Sequence, residues 1–141
     1  MSNSKSELQQ LVDVLPQYEN QLRYWESQLE AVSNVKTDIY QAQETLRGML
    51  DSEDKMEMLV PVGHNTSFFA NVDNLDRILV GIGSRVYMET TRKISLERLD
   101  KRLKELDTAS KTYNENLVKT QQEYVSLRER ADLLRSGESN V

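Results

Sequence analysis

Few residues in this 141-residue chain could do chemistry, and each has a plain structural reading beside the chemical one. His64 is the single histidine and could act as a general acid or base. It sits in a polar turn, Gly63-His64-Asn65, with no second base and no nucleophile pattern nearby, so it reads as a surface residue. Gly81-Ile82-Gly83 is half of a phosphate-binding fingerprint. It lacks the third glycine and leads into a strand rather than a helix N-terminus. Asp51-Ser52-Glu53-Asp54 has the acids of a calcium loop without its length or spacing, and reads as a solvated turn. Asn65-Thr66-Ser67 fits a glycosylation sequon, which carries little weight when the first residues, MSNSKSELQQ, hold no apolar signal core. There is no cysteine, which excludes disulfides, thiolate chemistry and Cys-ligated zinc. With no nucleophile–base set, metal cluster or phosphate loop in view, an enzyme is the remote reading, and neither cofactor nor metal is expected.

The elements that would have to position such residues are more informative than the residues. Apolar residues make up 38% of the chain and charged residues 29%, below the usual apolar share of a globular domain and in keeping with elongated helical structure. The net charge of −5 is unevenly spread: residues 7–51 carry eight acids and three bases, whereas residues 91–135 carry eight acids and eleven bases. Two flanks of opposite sign suit two helices lying side by side. No domain-wide basic excess argues for nucleic acid, and no run approaches a membrane span, so a cytoplasmic protein is expected.

In residues 5–50, a heptad numbered from Leu8 places Leu8, Leu15, Leu22, Leu29, Lys36, Gln43 and Leu50 at a. It places Leu11, Tyr18, Trp25, Val32, Ile39 and Leu46 at d. Eleven of these thirteen are apolar, and the period holds without a skip, which is a strong coiled-coil signal. Lys36 and Gln43 read as polar seam positions that fix register. Pro16 leaves two readings: a kinked but continued helix, favoured because the phase is the same on both sides, or a fresh start capped by Asp13. In residues 91–135, after a cap at Thr90 or Thr91, the seam is Leu96, Leu99, Leu103, Leu106, Ser110, Tyr113, Leu117, Thr120, Tyr124, Leu127, Ala131 and Leu134. Residues from Ser136 onward are expected to fray. The two seams have nearly equal length. Folded back antiparallel, they set Trp25 opposite Thr120, Leu29 opposite Leu117, Tyr18 opposite Leu127 and Lys36 near Ser110.

Between them, residues 51–90 predict four short strands, at 57–62, 66–72, 77–82 and 85–90, forming two hairpins. Pro61 implies an edge position or a bulge. Strand alternation is only partial, so apolar groups face both ways and need cover on both sides. Two helices leading away cannot obviously supply it, which makes the module an assembly surface for other copies or homologous subunits. Its candidate residues are Met58, Val60, Val62, Phe68, Phe69, Ala70, Ile78, Val80, Ile82, Val86 and Met88.

Helix, two apolar hairpins and an equal antiparallel helix resemble the layout of a prefoldin subunit. LVPVG (59–63), SFFANV (67–72) and RILVGIGSRVYMET (77–90) carry the resemblance, which covers essentially residues 1–141 as one prefoldin-type domain. Two hairpins in place of one point to the alpha class, archaeal or the related eukaryotic subunits. The resemblance implies a mostly α, α+β fold: a long antiparallel two-helix coiled coil joined by hairpins that form a β-barrel on oligomerisation. It also implies an ATP-independent co-chaperone in which two alpha-class and four beta-class subunits assemble. The arm tips would grip non-native client proteins and pass them to a group II chaperonin, with no nucleic acid and no membrane involved. Near a fraying coiled-coil end, Leu8, Leu11, Val12, Leu15, Leu127, Ala131, Leu133 and Leu134 are the residues available to such a client. The rival reading is a structural coiled-coil adaptor or tether that oligomerises through the same β module.

Overall fold

A computed structural model describes residues 2–49 and 56–139. Leu50 and the acidic cluster at 51–54 lie outside the described residues. In chain order the elements are α1 (Ser2–Gly48), β1 (Met56–Gly63), β2 (Thr66–Val72), β3 (Ile78–Gly83), β4 (Val86–Thr90) and α2 (Arg92–Ser139). Every described heptad position assigned from the sequence on both helices is buried or half-buried. The 3.5-residue pattern therefore names the packed stripe of each helix.

α1 runs unbroken through Pro16. The fresh start at Asp13 does not occur, and the Asp13 carboxylate instead accepts a hydrogen bond from Gln9 Nε2 at 3.0 Å. Seam residues on both sides of Pro16 (Leu11, Leu15, Tyr18, Leu22) are half-buried. Their packing outweighs a proline cost of about 3 kcal/mol. α2 begins where Thr91 Oγ1 accepts the Ile94 amide at 3.3 Å, the N-cap expected of a threonine at this point. It continues to Ser139, past the end expected near residue 135. No proline stands in its last turns, and Gly137 alone does not stop a helix.

The chain divides into two compact units, one of residues 1–34 with 106–141 and one of residues 35–105. In the first, the helices run antiparallel. Glu7 meets Arg130, Glu19 meets Tyr124, and the Trp25 ring lies 5.9 Å from that of Tyr113, with Tyr24 edge-on to Trp25 at 4.8 Å. Tyr18 and Leu127 line one shallow groove, in keeping with the expected register. The Trp25 ring, expected opposite Thr120, meets Tyr113, about two helical turns away along α2. Thr120 is buried, and its hydroxyl donates to the Asn116 carbonyl at 2.7 Å, so this polar seam residue is satisfied within its own helix.

In the second unit the polar seam residue Gln43 is only 2% exposed, and its Nε2 donates to Asp100 Oδ1 at 2.7 Å. Arg47 approaches the same carboxylate at 3.7 Å. A buried amide that finds its partner only in one alignment penalises every slipped alignment, which is how a polar a position sets register.

The strands form two separate two-stranded antiparallel sheets, β1–β2 and β3–β4. Each hairpin closes through a glycine followed by two residues at positive φ: Gly63, then His64 (39°) and Asn65 (56°); Gly83, then Ser84 (50°) and Arg85 (61°). Two consecutive positive φ values define the mirror-image turn whose twist matches paired strands. Because Arg85 belongs to this turn, β4 starts at Val86, one residue later than the sequence suggested. The ladder shifts register between Pro61 and Gly63 and, at the matching place, between Gly81 and Gly83, so the shift goes with the turn; Pro61 lies on an edge strand, one of the two positions open to it. The glycine pair 81/83 belongs to the β3–β4 hairpin. Gly83 turns at φ 106°, and a Cβ on Gly81 would lie 3.3 Å from the Tyr87 ring.

The link between the hairpins, Asp73-Asn74-Leu75-Asp76, is polar but for Leu75, which is 4% exposed and thus part of the core. Asn74 Oδ1 accepts the Asp76 amide at 3.0 Å, and Asp76 Oδ1 accepts the Arg92 amide at 3.0 Å. The turn is thereby tied to the start of α2 while Leu75 is held inward. Leu75→Ala should cost about 2–5 kcal/mol in a urea melt, the range for a buried leucine. A change within about 0.5 kcal/mol would mark a surface turn residue instead.

Candidate functional site

Two surfaces carry the residues singled out from the sequence, one in each unit, and neither contains a reaction centre. The first is the pair of hairpins. In β1–β2, Met58 opposes Ala70, Val60 opposes Phe68 and Leu59 opposes Phe69. Successive pairs point to opposite faces, so Val60 and Phe68 stand on one face and Leu59 and Phe69 on the other. All four are exposed, Phe69 to 75%. Met58 and Ala70 are half-buried, and Val62 is exposed. In β3–β4, Val80 opposes Met88, both half-buried, and Leu79 opposes Glu89. Ile78 is half-buried, while Ile82, Val86, Leu79 and Tyr87 are exposed.

Leu59, Leu79 and Tyr87 were absent from the candidate assembly set. Alternation from Met58, Ile78 and Val86 selects one face of each strand, that of Phe68 in β1–β2, and these three stand on the other, where Phe69 also stands. The signal that could have found them was available in the partial alternation itself, since an apolar residue between two apolar neighbours must face the opposite way. Side-chain pairing at the surface is polar where helix and hairpin meet. Arg77 Nε donates to Glu89 Oε1 at 2.6 Å, and this bond raises the Arg77 pKa. Both groups border a cleft with Asn74, Asp76, Thr90 and Thr91.

The second surface is the tip, residues 7–15 of α1 with 127–134 of α2. Of the eight candidates there, only Val12 and Leu133 are exposed, Leu133 to 67%. Leu8, Leu11, Leu15, Leu127 and Leu134 are half-buried, and Ala131 is buried at 1% exposure. The tip is therefore closed, with one strongly exposed leucine beside a packed seam. Across it, Arg130 holds Glu7 in a two-pronged contact: Nε donates to Oε1 at 2.9 Å and Nη2 to Oε2 at 3.3 Å. Tyr124 OH donates to Glu19 Oε1 at 2.9 Å.

The hydrogen bond from Arg130 holds the Glu7 carboxyl below the usual glutamate range and raises the Arg130 pKa in turn. A carboxyl whose folded pKa is lowered contributes its full stabilisation above the unfolded value, about 4.3 for glutamate. That contribution is lost as pH falls through the lower folded value. Hydrogen exchange of amides at the tip, corrected for intrinsic rates, should stay constant from neutral pH to about pH 5 and become less protected below about pH 4. In Glu7→Gln this step should be absent.

Among the described residues no helix is long and apolar enough to cross a membrane. The prefoldin subunit family model matches residues 18–133, which takes in both hairpins and the seams from Tyr18 onward and up to Ala131. The prefoldin subunit alpha of Methanoregula boonei is 31% identical over 115 residues, covering 82% of this chain and 74% of that one. Prefoldin subunit alpha 1 of Methanocaldococcus jannaschii is 29% identical over 111 residues, covering 79% and 75%. The cryo-EM structure of filamentous PFD from Methanocaldococcus jannaschii shares the fold with a TM-score of 0.71 at 17% identity, covering 83% of this chain and 97% of that one. Paired seams, two hairpins and these likenesses agree: the chain belongs to the prefoldin family of non-enzymatic chaperone subunits, with the two hairpins of its alpha class.

Proposed function

We propose that this chain is the alpha-class subunit of an ATP-independent co-chaperone, that its hairpins join those of beta-class subunits, and that its tip captures non-native proteins for a group II chaperonin. The observation that carries the reading is the apolar exposure on both faces of each hairpin, with Leu59 and Phe69 on one side and Val60 and Phe68 on the other. A two-stranded hairpin is marginal alone in water, and covering each of these side chains stabilises by about 1.5–3 kcal/mol. Homologous hairpins supply that cover on both faces at once and lead to a closed barrel without open edges. Two copies of this chain and four beta-class subunits are the proposed set, in the cytoplasm.

At the tip, Val12 and Leu133 offer apolar surface that packing does not use. One tip holds a client weakly, and several tips acting on one client gain from high effective concentration. The half-buried seam residues Leu8, Leu11, Leu15, Leu127 and Leu134 add surface when the helix ends separate.

The two surfaces are separable by mutation. Removing residues 1–14 and 128–141 should abolish protection of an unfolding protein against aggregation, read by light scattering, while the oligomer still forms. The pair Leu59→Ser and Phe69→Ser should do the reverse at the first step and leave the chain unassembled on size-exclusion chromatography. Aggregation protection that survives the tip deletion would refute tip capture. Retention of a single folded partner without any such protection would favour the adaptor reading.

A further inference from the structure

The tip described above is shut, and the structure shows what shuts it. Glu7 immediately precedes seam residue Leu8, and Arg130 immediately precedes seam residue Ala131, so both occupy the same flanking heptad position on antiparallel helices. Their two-pronged contact, at 2.9 and 3.3 Å, crosses from one helix to the other beside the seam. The Tyr124–Glu19 bond at 2.9 Å is a second crossing, a little over three turns (~3.3) further along α1. Between these ties lie Leu8, Leu11, Val12 and Leu15 on one helix and Leu127 on the other. Apart from Val12, all of them are half-buried, and Ala131 beside the clasp is buried.

We infer that the Glu7–Arg130 contact is a clasp that keeps the seam leucines of the tip from a client, and that client capture proceeds through an open tip in which the clasp is broken. The inference rests on the tip-capture reading above and adds how access to the tip is regulated. A site available only in a minor open state binds with an affinity reduced by the fraction open. Any change that raises that fraction tightens capture by the same factor, until the open state predominates. The clasp is an exposed pair, so its contribution is small, and losing it should raise the open fraction about twofold to fivefold. Smallness suits the role, because a clasp much stronger than a single weak apolar contact would keep the tip closed to clients. Raised ionic strength acts in the same direction by screening the pair.

The test compares the full-length assembled protein in five forms: wild type, Glu7→Gln, Arg130→Gln, the charge exchange Glu7→Arg with Arg130→Glu, and the tip deletion. Two quantities are read at neutral pH: hydrogen exchange in peptides covering residues 7–15 and 127–134, and the concentration giving half-protection of reduced, guanidine-unfolded lysozyme against aggregation. Both single variants should speed exchange at the tip about twofold to fivefold and lower the half-protective concentration by a similar factor. The charge exchange should return both towards wild type, an outcome that mere disturbance of the surface would not produce. Unchanged exchange, faster exchange without tighter protection, or failure of the exchanged pair to restore both would overturn the clasp. If the tip deletion protects as well as wild type, the tip reading itself has failed; if only the deletion loses protection and the single variants behave as wild type, the clasp alone has failed.

Discussion

The constraint on which this structure depends is that its two hairpins present apolar side chains in both directions. A strand with one apolar face can be covered by one neighbouring element, whereas Leu59 with Phe69 and Val60 with Phe68 need cover on opposite sides of the same sheet. Among the described residues the two sheets are not hydrogen-bonded to each other, and with two strands apiece every strand is an edge strand. Such a module is incomplete as a single chain. Its exposed apolar faces agree with membership of the prefoldin family, whose subunits assemble with one another.

Holding such a module in one orientation requires that the helices entering and leaving it have a defined register. An apolar heptad seam alone tolerates slippage by a whole heptad with little loss. The buried amide of Gln43, matched to the Asp100 carboxylate, removes that freedom. On the other side of the hairpins, Leu75 is turned into the core while Asp76 caps the first amide of α2. Polar groups thus decide alignment and apolar groups supply the stabilisation, a division also visible at the tip, where Arg130 and Glu7 flank a seam of leucines.

Much of the fold was legible in the sequence because its two periodicities are long and uninterrupted. The seams from Leu8 to Leu46 and from Leu96 to Leu134 lie at the packed positions, and Pro16 did not interrupt the first because packing on both sides outweighs one missing hydrogen bond. Short signals were less reliable. Leu75 is flanked by Asn74 and Asp76, so local composition spoke for a solvated turn, and only the tertiary structure reveals its burial. Arg85 looks like the first residue of a strand, but the preference of a tight hairpin for two positive φ values takes it into the turn. The sequence-derived candidates at the hairpins lay mostly on one face of each strand, with Phe69 on the other, and left out Leu59, Leu79 and Tyr87. At the tip they included Ala131, which the structure buries. Its burial is what its place in the heptad implies. The Trp25 ring meets Tyr113, so the expected pairing of Trp25 with Thr120 does not hold; equal seam lengths set the approximate alignment of two helices but not which residues share a layer.

The most direct measurement is the native mass of this chain purified from its own source with whatever accompanies it. The account predicts a heteromer of about six small coiled-coil subunits in which this chain is present twice, with homologous hairpins as the proposed cover for both faces of β1–β2 and β3–β4. A stable monomer, or a complex with one large folded partner, would contradict it.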